Sequence, residues 1–286
     1  MFNDIHIGSI TIHMYGIMFA TGFLVALLLT LYRAKKRGLS TDVVWGIFYC
    51  AIIGGVAGGK LLFFLTNLRE IIEMPSLLLD FQNGFVIYGG ILGGIFASWI
   101  YIRVKKEDFF TYFDLVMPAV AAAQGCGRLG CFFAGCCYGR ETDGPFHIVF
   151  TNSDFAPNNV PLVPTQLLSS AGDFLNMALL ILFARTKPKK GRVAAAYLMF
   201  YGIGRFVIEF FRADYRGAIG PFSTSQFISF FIVTAGIALF ILAPKITGEG
   251  KKAAMETAAV TEKEETVAIT EEENEEKPEK SGEEKA

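Results

Sequence analysis

Long apolar stretches alternate with short polar ones along most of the chain. A run of about 20 apolar residues is enough to cross the hydrocarbon core of a bilayer. Seven such runs stand out, at roughly 11–32, 43–66, 85–102, 113–133, 165–184, 193–211 and 225–243. The fourth and sixth carry polar breaks, so their limits are the least sharply drawn. The first is too long for the apolar core of a signal peptide, and no cleavage site follows it, so it is read as a retained helix. The pattern predicts an all-α integral membrane protein of about seven transmembrane helices.

Charge placement orients those helices. Lysine and arginine collect in alternate loops: Arg33, Lys35, Lys36 and Arg37 in the first, Arg103, Lys105 and Lys106 in the third, and Arg185, Lys187, Lys189, Lys190 and Arg192 in the fifth. Lys245, Lys251 and Lys252 follow the seventh run. Loops between these carry only Arg69, Arg140, Arg212 and Arg216. Cytoplasmic loops hold the excess of positive charge, so the N-terminus is expected outside and the C-terminus inside.

Composition sharpens the domain boundary. The chain is 52% hydrophobic, yet from Glu249 onward it carries 13 acidic residues and 6 lysines, a net charge of −7 that leaves +6 on the rest. That tail has too little apolar surface to offset the entropy of ordering it. The expected organisation is a membrane domain over residues 1–246 and a disordered acidic cytoplasmic tail over 247–286. No nucleic-acid partner is expected.

Polar residues inside the spans then become informative. With the predicted orientation, Lys60, Tyr88, Gln124, Arg128, Gln166, Tyr201, Arg205 and Glu209 all fall in the outer half of the membrane, with His13 and Tyr15 at the outer start of the first span. Tyr201, Arg205 and Glu209 share one helix face by their spacing of four. An Arg205–Glu209 ion pair is expected, but it leaves Arg128 and Lys60 with Glu209 and Asp114 as the carboxylates considered. Intramembrane charges mark functional sites, and a surplus of guanidinium groups suits a phosphate-bearing ligand. Gly54-Gly55 and Gly58-Gly59 recur as Gly89-Gly90 and Gly93-Gly94, small-residue faces that let helices approach closely.

Four of the five cysteines lie between positions 126 and 137. Cys131, Cys136 and Cys137 admit three readings: packing or a disulfide near the outer face, a catalytic thiol, or metal ligands. Their spacing is not the CxxC of a zinc site, and neither a metal nor a cofactor is expected.

Several stretches resemble the prolipoprotein diacylglyceryl transferase family. Met14-Tyr15-Gly16 resembles its first-helix Tyr-Gly motif, and Tyr88-Gly89-Gly90 its His-Gly-Gly segment. Gly127-Arg128-Leu129-Gly130 resembles its signature, running on through Cys131, Cys136, Cys137 and Gly139. Pro164-Thr165-Gln166-Leu167 and Tyr201-Gly202 with Arg205-Phe206 and Glu209-Phe210-Phe211-Arg212 resemble its later elements. Here Cys131, Ala134 and Cys136 stand where well-characterised members have Asn, Asn and Glu, Tyr88 where they have His, and Lys60 where they have Arg.

The resemblance implies transfer of a diacylglyceryl group from phosphatidylglycerol to the thiol of a lipobox cysteine on a secreted prolipoprotein. This would take place in the bacterial cytoplasmic (inner) membrane and among its lipids. It implies that Arg128, Lys60, Tyr15, Gln166 and Gly139 bind phosphatidylglycerol, and that Tyr88, Tyr201, Arg205 and Glu209 serve catalysis. Tyr88, Glu209 and His13 are the candidates to deprotonate the thiol. Two other readings are a diverged lipid-group transferase or thiol enzyme using Cys136 or Cys137 on another acceptor, and a transporter of an anionic solute.

Overall fold

The computed structural model describes residues 4–7, 10–74, 84–213, 217–219 and 222–247. The acidic tail, apart from its first residue, lies outside the described residues. A short hairpin, β1 (Asp4–Ile7) with β2 (Ile10–His13), leads into α1 (Met14–Lys36), α2 (Thr41–Thr66) and the single turn-and-a-half of α3 (Leu68–Glu73). Then come α4 (Ile87–Val104), α5 (Phe109–Ala134), the paired strands β3 (Ile148–Val149) and β4 (Pro161–Leu162), α6 (Thr165–Arg185) and α7 (Arg192–Glu209). A last small hairpin, β5 (Ala218–Ile219) with β6 (Phe222–Ser223), precedes α8 (Thr224–Ile246). The protein is an all-α membrane protein with three small hairpins as trim.

Six of these helices are long and apolar enough to cross a membrane. The exception among the long ones is α7, whose 18 residues include Arg192, Arg205 and Glu209. It nevertheless packs against α5, α6 and α8 and completes a bundle of seven. Outward faces of the other helices are apolar and open, as at Leu28, Ile53, Leu92 and Phe230 (56–69% exposed), which is what a lipid-facing surface requires.

Local chemistry sets the helix ends. Ser40 accepts the Val43 amide at the start of α2, and Asp108 accepts the Thr111 amide and hydroxyl at the start of α5. Ser223 and Gln226 form a reciprocal capping box on α8. The start of α7 has no capping side chain of its own. Instead, the buried Asp114 of α5 accepts the amides of Gly191 and Ala194, each at 2.8 Å. A carboxylate from one helix thus satisfies the free donors of another and meets the positive end of its dipole. That use removes Asp114 from the carboxylates available to the outer arginines. Its other neighbour, Arg33, is also buried and donates to the Leu115 carbonyl.

Successive long helices run antiparallel, with α5 at the centre. Half of its span is buried (50%), against 17–22% for the other five apolar spans. It touches α1, α6 and α7, while α7 pairs with α8. The second pair, α2 with α4, is built on the glycine doublets. A Cβ on Gly58 would meet the Gly89 carbonyl oxygen at 2.4 Å, and one on Gly93 would meet that of Gly54 at 2.3 Å. Both clashes are with backbone, so no side chain can move to relieve them. Gly55 is different, since its Cβ would meet only the Gly90 oxygen at 3.6 Å, an ordinary contact.

This contrast gives a test. Gly58→Ala is expected to lower the thermal midpoint of the detergent-solubilised protein, at a cost of about 1–3 kcal/mol for overpacking. Gly55→Ala, which fills open space and improves helix propensity, should be neutral or stabilising by up to about 1 kcal/mol. Equal effects from the two would mean that α2 and α4 do not pack along this row.

Candidate active site

One end of the bundle gathers the start of α1, the end of α5, the start of α6, the end of α7 and the start of α8. Two antiparallel contacts show the convergence: Gly130 of α5 lies against Tyr15 and Met18 of α1, and Arg205 of α7 donates to Ser225 Oγ of α8 at 2.8 Å.

Arg205 also pairs with Glu209 one turn along, at 2.7 Å, as its spacing predicts. The same Glu209 oxygen lies 3.8 Å from Arg212 Nε, so one carboxylate serves two guanidinium groups. All three side chains are buried or nearly so. Arg128 sits half-buried in α5, within electrostatic range of Arg205. Among the described residues it makes no hydrogen bond or ion pair. A second carboxylate faces this cluster, Asp173 of α6, within range of Arg128, Arg205 and Tyr197. Sequence reasoning missed it, although the polar break Ser169-Ser170-Ala171-Gly172-Asp173 in the fifth span was the available signal. Tyr201 stacks on Tyr197 with ring centroids 5.9 Å apart, and Tyr197 donates to Gln124 at 2.9 Å.

The loop after α5 closes the arginine cluster from above. Gly135, at φ 72°, ends the helix in the left-handed conformation. Its amide bonds the Phe132 carbonyl at 3.2 Å, and the Cys136 amide bonds the Cys131 carbonyl at 3.1 Å. Cys137 is also left-handed, at φ 60°. Two buried side chains at the start of α6 fix this turn: Gln166 donates to the Cys136 carbonyl at 2.8 Å, and Thr165 to the Cys137 carbonyl at 2.9 Å. Gly139 then pairs with Arg212 across a bridge. A Cβ there would meet the Val163 and Phe211 oxygens at 2.4 and 2.9 Å, so only glycine fits.

The thiols of Cys131, Cys136 and Cys137 gather at one point, their sulfur atoms within 4.8 Å of one another. Cys131 and Cys136, with help from Arg212, pull the Cys137 thiol down, while Cys131 and Cys137 push Cys136 up. Tyr15 and Arg128 lie within electrostatic range of this cluster.

Contacts among the described residues join most of the expected site. Tyr15, Arg128, Gln166, Gly139, Tyr201, Arg205, Glu209 and the three cysteines come together. Lys60 and Tyr88 lie on the α2–α4 pair instead. Lys60 is buried over the rings of Phe63, Phe64 and Phe85, at 5.2–5.5 Å, a cation–π setting. Tyr88 is half-exposed in the first turn of α4, and among the described residues no hydrogen bond or ring contact ties it to the arginines. At the opposite end of the bundle, a cavity of about 450 Å³ is lined by Lys36, Arg37, Asp114 and Lys187.

A seven-helix membrane bundle with three arginines and two carboxylates gathered at one end defines a multi-pass membrane protein with a charged cluster in its bundle. A family model described as prolipoprotein diacylglyceryl transferase matches residues 4–242. A phosphatidylglycerol–prolipoprotein diacylglyceryl transferase of Clostridium tetani is 47% identical over 81% of this chain and 93% of its own length. A second from Clostridium perfringens is 42% identical over 81% and 91%, and one from Geobacter sulfurreducens 34% over 82% and 92%. The chain belongs to the prolipoprotein diacylglyceryl transferase family.

Pairing separates the arginines into two kinds, which stability measurements can distinguish. Glu209→Gln leaves two buried guanidinium groups sharing no anion and is expected to cost about 3 kcal/mol. Arg128→Gln removes a cation that has no direct pairing and should leave the thermal midpoint unchanged or raised. A large loss of stability in Arg128→Gln would show that Arg128 is a structural residue.

Proposed function

We propose that this protein transfers the diacylglyceryl group of phosphatidylglycerol to the thiol of a lipobox cysteine on a secreted prolipoprotein, the first step of lipoprotein maturation. The observation that carries the reading is Arg128, a half-buried intramembrane guanidinium that makes no ion pair among the described residues, placed within range of Arg205 in a chain of this family. The site belongs at the outer face of the bacterial cytoplasmic membrane, where secreted precursors and lipid headgroups meet. The predicted charge alternation supports that orientation.

The reaction forms a carbon–sulfur bond and breaks a carbon–oxygen bond. The acceptor sulfur attacks the glycerol carbon that bears the phosphate ester. The electron pair of the broken bond leaves on glycerol phosphate, and the thiol proton passes to a base or to water. Negative charge grows on the departing phosphate, so fixed cations aimed at it lower the barrier. Arg128 is free to offer its whole fork to that phosphate. Arg205 is half-committed to Glu209 and offers its remaining face. Tyr15 and Gln166 belong to the same end of the bundle, and Gly139 lets the 138–140 segment pack closely against the backbone beside Arg212. Glu209 is held by Arg205 and Arg212 and fixes their positions. Tyr88 and Lys60 belong to α4 and α2, and on this reading they contact the same lipid.

The test is lipidation in bacterial cells depleted of their own transferase and expressing this chain. Restored diacylglyceryl modification of a reporter prolipoprotein, read by mass, is the expected result. Arg128→Lys should lose at least about tenfold in transfer by isolated membranes and approach Arg128→Ala, because lysine keeps the charge but loses the bidentate fork. Full activity in the lysine variant, or no lipidation by the intact protein, would overturn the reading.

A further inference from the structure

The sulfur atoms of Cys131, Cys136 and Cys137 lie within 4.8 Å of one another. Sequence spacing conceals this cluster, and the turn at the end of α5 creates it. In the two-bond helix ending made by Gly135, the third residue from the helix end and the second residue beyond it are brought side by side. Those positions are Cys131 and Cys136, whose backbones are joined at 3.1 Å. The left-handed turn at Cys137 then brings the third thiol back to the same point. A non-glycine residue in that conformation costs about 1 kcal/mol or more, so packing alone is a weak reason for it.

The loop is also fixed before any ligand arrives. Gln166 and Thr165, each 1% exposed, hold the carbonyls of Cys136 and Cys137. Gln166 keeps a second buried atom, Oε1, with no hydrogen-bond partner.

We propose that Cys131, Cys136 and Cys137 bind a zinc-class divalent ion as three thiolates, with the fourth coordination position left for the acceptor thiol. Sulfur ligands about 2.3 Å from zinc stand roughly 3.8 Å apart on a tetrahedron, so the observed cluster needs a contraction of no more than about 1 Å. Three thiolates and a divalent ion carry one net negative charge. Arg212 hydrogen-bonds Cys137 and supplies the compensating cation, in the manner of a group that orients a ligand from behind. All three cysteines are only half-buried, which leaves one side of the cluster accessible. A disulfide would use two of the sulfurs and strand the third.

The consequence rests on the transfer reaction proposed above. A thiol that coordinates such an ion is deprotonated outright, and its proton passes to water at the open face. The bound sulfur then attacks the glycerol carbon, the carbon–oxygen bond to phosphate breaks, and its electron pair leaves on glycerol phosphate held by Arg128. The thioether product is uncharged and a far weaker ligand, so it departs. The ion thus activates the acceptor thiol directly, without a separate protein base.

The experiment uses the full chain, purified in detergent, stripped with chelator and titrated with cobalt(II). One cobalt per chain is expected, with sulfur-to-cobalt charge-transfer absorption and tetrahedral visible bands that zinc abolishes. Cys131→Ser, Cys136→Ser and Cys137→Ser should each weaken binding by at least about tenfold, whereas Cys50→Ser should not. Size-exclusion profiles and thermal midpoints identify any variant that fails to fold. For such a variant, thiol alkylation of the intact protein, blocked by zinc at these three cysteines only, gives the same information.

A lipobox peptide should perturb the cobalt spectrum, and its cysteine-to-serine analogue should not. No tetrahedral cobalt spectrum, a disulfide within the cluster of the natively isolated protein, or a spectrum blind to the thiol peptide would each overturn the proposal. Diacylglyceryl transfer is assayed on the same preparations. Full transfer by a metal-free triple serine variant sinks the metal site alone, whereas a cobalt-binding protein without transfer sinks the assigned reaction and leaves the site.

Discussion

Glu209 answers two guanidinium groups at once, and the site is organised around that shortage of negative charge. Burying an arginine between helices is costly, and burying three is tolerable only where something cancels most of the charge. Arg205 and Arg212 divide Glu209 between them. Asp173 stands within range of Arg128 and Arg205 but pairs directly with neither. The cluster is left one negative charge short. On the function proposed above, a phosphate ester would supply that charge on entering, so binding the lipid would relieve an imbalance that folding leaves in place.

Asp114 shows why counting carboxylates along a sequence is not enough. It lies in the same helix as Arg128 and was a candidate to answer the outer arginines, yet its two oxygens are spent on the amides of Gly191 and Ala194. Helix α7 has no cap of its own, and in a bilayer free amides at a helix start need a partner. Asp114 is therefore the anchor that fixes α7 against α5. It sets the height at which Arg205 and Glu209, four turns farther along, reach Arg128.

The spans were legible because hydropathy and length act locally. Six of the seven predicted runs became helices that meet the membrane criterion, and the seventh became α7. The ends moved for local reasons. Helix α1 continues through Arg33, Lys35 and Lys36, since charge ends an apolar run but not a helix, and α5 begins at Phe109 because Asp108 caps it. The three small hairpins and α3 are too short to leave a periodic trace. Within the site, the i,i+4 pair of Arg205 and Glu209 could be read from spacing alone. The setting of Lys60 over the rings of Phe63, Phe64 and Phe85 could not, because it depends on how α2 and α4 pack on each other. The cysteine cluster is an intermediate case. Its signal was Gly135 between Cys131 and Cys136, a helix-ending glycine that pairs the residues around it.

One short segment links the two chemical halves of the site. Residues 138–140 run between the β4 strand and the residues just after α7: Arg140 donates to Phe211 and accepts from Val163, Ala213 donates to Tyr138, and Gly139 bridges Arg212. The segment begins directly after Cys137 and ends against the backbone of the arginine that shares Glu209. A change in the sulfur cluster therefore has a short covalent and hydrogen-bonded route to Arg212, and from Arg212 to the Glu209 carboxylate that also holds Arg205. Gly139 makes this possible, since any side chain there would collide with two carbonyl oxygens. The thiols and the arginines are thus joined by one stretch of backbone, and on the function proposed above that backbone would set both the place of the sulfur nucleophile and that of the leaving phosphate.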